Sequence, residues 1–448
     1  MEHLFQFILR HGVFGGQRAL EIYLMALCIK LFDFSVNSIK LPSLIISLTS
    51  LYVMYRFMNK VCSNKVIAVI ILALLAINPW DIVQTQWALD CNLFPHVFLI
   101  AVYLLYIEIE EKKDGYLFCS MLIFALTLYT YGVALYLVPI FLFICAIWLL
   151  IKKKMNVKRL LVCILIFIIF SIPIFLMVIV NLFKLQNIQI GNITVQNYSY
   201  VSRTRDMLIF SNDFFRCLVN NVRILFKVVY TQKDGLVWNS FEGSGTLYLF
   251  SLPISLFGII KLVYRKEKCN SEDNEYNQFG KVLLILWLII SLLCGILINA
   301  VNINRINIIW YILIIFNGIG IYEIISSVSS YKKEVAIFFI CIYMLSFLGY
   351  LYFLYDKGID QINNSETWSR GLVDAINYCD KQHYNKVKLS ANVCSKKLNR
   401  MCLLSLQPKI NKYTIQQLII LWIIIILIKI KNQEIITLQQ TRYMKLLI

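Results

Sequence analysis

Between Leu41 and Tyr355 apolar runs follow one another with only short polar breaks. Crossing a bilayer takes roughly 20 mostly apolar residues, and an open sheet in lipid would leave backbone groups unpaired, so each run predicts a transmembrane helix. The runs fall at about 41–58, 66–79, 93–107, 116–131, 133–151, 160–182, 247–264, 282–301, 306–324 and 335–355. Two shorter apolar segments, 19–33 and 418–430, are ambiguous. The expected fold class is all-α, a polytopic transmembrane helical bundle of about 10–12 spans.

The polar breaks differ in charge. Basic residues gather in alternate short loops: Lys60 and Lys65; Lys112 and Lys113; Lys152, Lys153, Lys154, Lys158 and Arg159; Arg265, Lys266, Lys268 and Lys281; Lys332 and Lys333. The intervening short loops, 78–92, the turn at Gly132 and 302–305, hold Arg305 alone. This alternation is the positive-inside pattern, and it places the Lys-rich loops in the cytoplasm and the others outside. Membrane helices are thus expected over 41–182 and 247–355, with extracytoplasmic pieces at 183–246 and 356–448. The inner loops leave no room for a nucleotide-binding domain, and no G-x-x-x-x-G-K-[ST] occurs.

Composition agrees. Hydrophobic residues make up 59% of the 448, with a mean hydropathy of +0.71, whereas soluble domains sit near 45–50%. A net charge of +18 would suggest nucleic acid in a soluble protein, but the clustering of basic residues in short loops between spans argues for no nucleic-acid partner. The thirteen cysteines show no C-x-x-C pair and read as apolar filling. Cys217, Cys379, Cys394 and Cys402 fall on the outer side, where no pairing can be read from spacing. The excess of Ile, Lys, Asn and Tyr over Ala and Gly suits an AT-rich, bacterial genome.

Both termini are unusual. If 19–33 spans, it does so with about 15 residues that include Glu21 and Lys30, which is short and costly. If it lies in the interface, residues 1–18 are outside with no preceding span to carry them. From about Val393 the chain mixes Lys-rich patches with the run "LIILWIIIILIKI", consistent with either a frameshifted tail or a real final helix.

Four segments in order resemble the polytopic glycosyltransferases of the GT-C type, the group that includes protein O-mannosyltransferases and lipid A aminoarabinose transferases. The first runs from "GGQRALEIYLMALCIK" through "KLPSLIISLTSLYVMYRF", similar to the family's outer-surface helix and the Leu-Pro-Ser opening of its second span. The others are "NPWDIVQTQWALDCNLFP" (78–95), "DGLVWNSFEGSGTLYLFSLP" (234–253) and "NINRINIIW" (302–310). The resemblance implies transfer of a sugar from a polyprenyl-phosphate carrier to an acceptor glycan, lipid or protein at the outer face of the cell membrane. It also implies that 1–40 is an outer-surface segment with an interfacial helix. The family's principal acidic residue follows its first span, upstream of anything here, so the resemblance predicts a missing span before Met1 and a truncated, inactive chain.

Such chemistry needs a carboxylate to take the acceptor proton, and cations to hold the departing lipid phosphate, either a divalent metal or Arg and Lys. With the principal base absent, the catalytic candidates are Asp90, near the outer end of a span, and Asp81, against a bland reading as loop and helix-start acids. Gln86 stands where the family commonly has Arg. Arg305, Arg203 and Arg205 are the candidates for lipid phosphate, because a guanidinium can bond two oxygens at once, against an interfacial snorkelling or solvated role. Glu242 and Trp238 are substrate-loop candidates; Trp80, Trp87, Trp238 and Tyr248 equally fit an aromatic belt. "EGSGT" resembles a turn, and His96 a packed residue. No metal ligands can be named. Competing readings are a flippase or transporter of lipid-linked sugars, disfavoured by spans nearly free of charge, and a non-catalytic membrane scaffold.

Overall fold

The computed structural model describes residues 19–364 except 34, 113–114, 191–192, 196, 198–205 and 266–275, together with 378, 381 and 382. The run 418–430 and residues Arg203, Arg205, Cys379, Cys394 and Cys402 lie outside the described residues. The chain falls into two units, Met1–Tyr352 and Phe353–Ile448. The first is helical: α1 (Ala19–Phe32), α2 (Val36–Val61), α3 (Lys65–Ala76), α4 (Pro79–Gln86), α5 (Asp90–Glu111), α6 (Tyr116–Thr127), α7 (Ala134–Ile151), α8 (Val157–Leu182), α9 (Phe214–Thr231), α10 (Ser251–Tyr264), α11 (Gln278–Leu297), α12 (Ile308–Ser327) and α13 (Lys332–Phe353). A small antiparallel hairpin, β1 (Ile188–Ile190) with β2 (Ile193–Val195), pairs Ile188 with Val195. In the second unit α14 (Ile359–Asn364) follows a wide turn at Leu354–Gly358.

Short polar residues set the helix starts. Ser35, Asn64, Asn78, Asn156, Asp213 and Asn277 each accept a hydrogen bond from a first-turn amide of the helix they precede, which satisfies donors that have no intrahelical partner. Asn78 does this in mid-run. Its side chain caps Trp80 and Asp81 with Pro79 at the first helical position, so the chain bends by 51° between α3 and α4 instead of continuing straight.

Among the described residues seven helical stretches are long and apolar enough to span: α2, α5, α7, α8, α11, α12 and Lys332–Gln361. The bent α3–α4 pair makes an eighth if it is one span. All ten apolar runs are helical, but fewer than ten are simple spans. The 116–131 run gives only the 12-residue α6, because Thr127 and Thr130 turn their hydroxyls onto nearby carbonyls and the backbone tightens from Leu128 to Thr130. The 247–264 run gives the 14-residue α10. At 1.5 Å per residue both fall well short of a roughly 30 Å core.

The centre of the bundle is α12, buried on every side from Ile308 to Ile321, as expected of a helix apolar all round. Phe98 of α5 stands edge-on to Trp287 of α11, Phe141 of α7 and Phe124 of α6, with centroids 5.0, 5.1 and 5.8 Å apart. The basic loops meet at one end. There Arg159 pairs with Glu108, Lys154 with Glu110 and Lys60 with Glu111, Arg265 lies 2.6 Å from Glu323, and Asn277 bonds Glu110 at 2.8 Å. The start of α5 at Asp90 and of α12 at Ile308 are therefore at the opposite, Lys-poor end. The 183–246 piece, expected as a loop, carries the hairpin and α9.

Candidate functional site

At the Lys-poor end three connections lock together. The Trp80 amide donates to the Thr246 carbonyl at 3.1 Å, and the Tyr248 hydroxyl to the Ile77 carbonyl at 2.5 Å. Burial raises the Tyr248 phenol well above its ordinary pKa, with Tyr350 and Tyr343 adding to the shift, so it stays a donor. Asp234 ties 232–250 to 299–307: one oxygen accepts from the Leu236 amide (3.0 Å), the other from Asn239 (2.6 Å) and the Ile303 amide (2.9 Å). Asn307 donates to the Cys91 carbonyl. The last three of the four segments singled out in the sequence are thus joined side to side. Gly243, at φ 101, closes the Phe241–Ser244 turn, so "EGSGT" is the turn its composition suggested.

Beneath this platform runs a buried polar seam. Ser43, Ser47 and Ser50 lie on one face of α2, at spacings of four and three. Ser47 donates to Asp81 Oδ2 at 3.3 Å, and Ser50 Oγ is 3.0 Å from His96 Nδ1. The Tyr311 hydroxyl, which has one proton, reaches the same Nδ1 at 2.5 Å. With Nδ1 accepting, the ring proton falls on Nε2, which faces Asp81 Oδ1 at 4.0 Å. Trp80 stands edge-on to Tyr311, centroids 5.3 Å apart. Asp81, His96 and Tyr311 are all buried.

The seam is incompletely satisfied. Ser43 Oγ, Trp80 Nε1, Asp81 Oδ1, both polar atoms of the Gln84 side chain, Thr246 Oγ1 and Asn307 Oδ1 are buried without a hydrogen-bond partner. Folded proteins leave few such groups unpaired, so donors and acceptors concentrated here fit a site completed by water or a hydroxyl-bearing ligand.

Of the residues singled out in the sequence, Asp81 lies in this seam. Asp90 begins α5 and is buried rather than solvated, one oxygen accepting the Cys91 amide at 2.9 Å; a carboxylate there suits the helix N-terminus. Arg305 Nη2 contacts Asp206 at 2.7 Å, and Nη1 donates to the Asn299 carbonyl, so its fork is partly engaged by the protein. Glu242 is exposed on the turn, while Trp87 and Trp238 are half-buried. Trp80 and Tyr248 are buried within the protein and not in a belt, because the bend at Asn78 turns Trp80 inward onto α12. His96 is packed, as its apolar surroundings suggested, but packed against polar partners. Its signal, with Ser47, Ser50 and Tyr311, was only a polar residue on one face of an apolar helix. Asp234 carried no separable signal. Among the described residues no group of three or more His, Cys, Asp or Glu side chains is placed to hold a metal ion.

Residues 20–176 match the family model described as dolichyl-phosphate-mannose-protein mannosyltransferase. No curated protein matches the chain. Among solved structures, the crystal structure of ArnT from Cupriavidus metallidurans in the apo state is similar at 10% identity and a TM-score of 0.39, covering 67% of this chain. The chain spans 48% of that protein's length. Residues 20–176 of this multi-pass membrane protein are thus similar to that mannosyltransferase family, in line with the GT-C resemblance of the sequence.

Proposed function

We propose that this protein transfers a sugar from a polyprenyl-phosphate carrier to an acceptor glycan, lipid or protein at its Lys-poor end. The positive-inside pattern supports an extracytoplasmic site. The observation that carries the reading is the cluster of orphaned buried donors and acceptors on Trp80, Asp81, Gln84, Thr246 and Asn307, roofed by the segments that resemble the family. A sugar's hydroxyls both donate and accept, and would pair groups that otherwise cost about 1–3 kcal/mol each when buried alone.

In this reading Asp81, with His96 beside it, or Asp90 takes the proton of the acceptor hydroxyl or amine. The freed lone pair forms the new bond at the anomeric carbon, the bond to the carrier phosphate breaks, and the lipid phosphate leaves with the electron pair. Arg305, oriented by Asp206, stabilises the charge on that phosphate, with Arg203 and Arg205 as further cations and Trp238 and Glu242 bordering the acceptor.

The test uses membranes containing the full chain, labelled dolichyl-phosphate mannose and a mixed acceptor extract. Release of dolichyl phosphate with label appearing on acceptor is expected, falling about 10²-fold or more in Asp81→Asn or Asp90→Asn. Turnover unaffected by both substitutions would remove these carboxylates from the chemistry. The transporter reading gains from the buried Asp81 and His96 pair, because ionisable groups inside a membrane domain mark transport paths as well. A transporter would carry the labelled donor across vesicles intact, with no lipid phosphate released.

A further inference from the structure

Helix α9 is 18 residues long, yet its composition keeps it out of the apolar spans. Three stripes run along it. Asn221, Leu225 and Val228 face inward and are buried. Phe215, Val219, Phe226 and Tyr230 recur at helical spacing and are 77%, 69%, 66% and 79% exposed. Arg216, Arg223 and Lys227 form an exposed basic stripe beside them, with no ion pair among the described residues. The preceding turn adds exposed Ile209 and Phe210.

The inward stripe fixes the depth of α9. Asn221 donates to the Ile296 carbonyl and to Asn299 Oδ1, both at 3.1 Å. Leu225 packs so closely on Gly295 that a Cβ there would come within 2.5 Å of it. Gly295 and Ile296 are the last turn of the spanning helix α11, which ends at Leu297. A spanning helix ends at headgroup level, so α9 is seated there too, beside the lipid.

We propose that α9 is a membrane-surface helix: Arg216, Arg223 and Lys227 bind the headgroup phosphates of anionic phospholipid, while Phe215, Val219, Phe226 and Tyr230 enter the acyl boundary. An apolar stripe bordered by cations that have no ion pair among the described residues, at the height of the membrane surface, suits an anionic bilayer better than a neutral one. This surface is separate from the polar seam. Its failure would leave the transfer reading untouched.

The experiment places the purified full chain in nanodiscs of phosphatidylcholine alone or mixed with phosphatidylglycerol, and follows hydrogen exchange over residues 214–231. Slower exchange in the mixed discs is expected. The variant R216Q/R223Q/K227Q abolishes that difference, each single substitution weakening the preference about fivefold. F215S/F226S speeds exchange in both lipids. Equal protection in the two lipids, or a triple variant indistinguishable from wild type, overturns the proposal. So does protection gained in phosphatidylcholine discs on adding inorganic phosphate, which would mean a free-anion site.

Discussion

The Asp81 carboxylate shows how one side chain can be shaped by what it lacks. One oxygen has Ser47; the other faces His96 at 4.0 Å, too far for a hydrogen bond. A ligand hydroxyl or water between them would complete both. Tyr311→Phe removes the hydroxyl that reaches His96 Nδ1. It should cost about 0.5–1.5 kcal/mol in detergent thermal unfolding. Transfer activity should fall further than that stability loss explains if the pair moves a proton; an unchanged rate would leave His96 a packing residue. At the basic end the contrast is instructive. The Glu108 side chain is 0% exposed and is held by Arg159 and the Leu117 amide. Arg159→Ala should destabilise by about 3 kcal/mol, the lower end for breaking a buried pair because Arg159 itself is half-exposed. A shift of the unfolding midpoint no larger than that of a surface mutant would show the pair to be solvated.

Two elements are held by backbone contact. A Cβ on Gly258 of α10 would lie 2.0 Å from the Phe316 carbonyl, and one on Gly320 of α12 would lie 2.3 Å from that of Ile254. These helices touch main chain to main chain, the arrangement small residues permit where lipid supplies no hydrophobic drive between helices. Gly258→Ala should therefore destabilise by about 1–3 kcal/mol, and Gly258→Leu by more, since the added atoms would meet the main chain of Phe316 and Gly320 and no movable side chain. Stability equal to wild type in either would mean that α10 shifts freely. Between elements, Asp234 joins 232–250 to 299–307. Asp234→Ala leaves the Leu236 and Ile303 amides unpaired, at about 1–3 kcal/mol each if both stay buried. Hydrogen exchange at Ile303 should then accelerate while that of α12 does not; acceleration throughout both would indicate global unfolding instead.

At the scale of the whole molecule the two ends differ in charge, and the difference predicts orientation. With native cysteines replaced, Glu242→Cys should react with an impermeant maleimide on intact cells and Lys153→Cys only after permeabilisation. The reverse pattern would invert the site's side of the membrane. The apolar runs, their helical state, the alternation of Lys-rich loops and the resemblance over the first and second segments were all legible in the sequence, the first three because lipid forces backbone bonds to close locally and charge to stay outside. The sequence also marked Asp81 and Asp90, by their place in a Lys-free stretch. Which runs cross in one piece was decided by Asn78, Thr127 and Thr130, whose side chains bond neighbouring backbone and interrupt helices that hydropathy alone would extend. The seam was decided by tertiary packing alone: Ser47, Asp81, His96 and Tyr311 come from four helices, and lone polar residues on apolar helices carry no sign of their partners. Asp206 likewise meets Arg305 only because the 183–246 piece folds back onto the end of α11. Local pairing and solvation are written residue by residue, whereas contacts between distant segments exist only once the helices have packed.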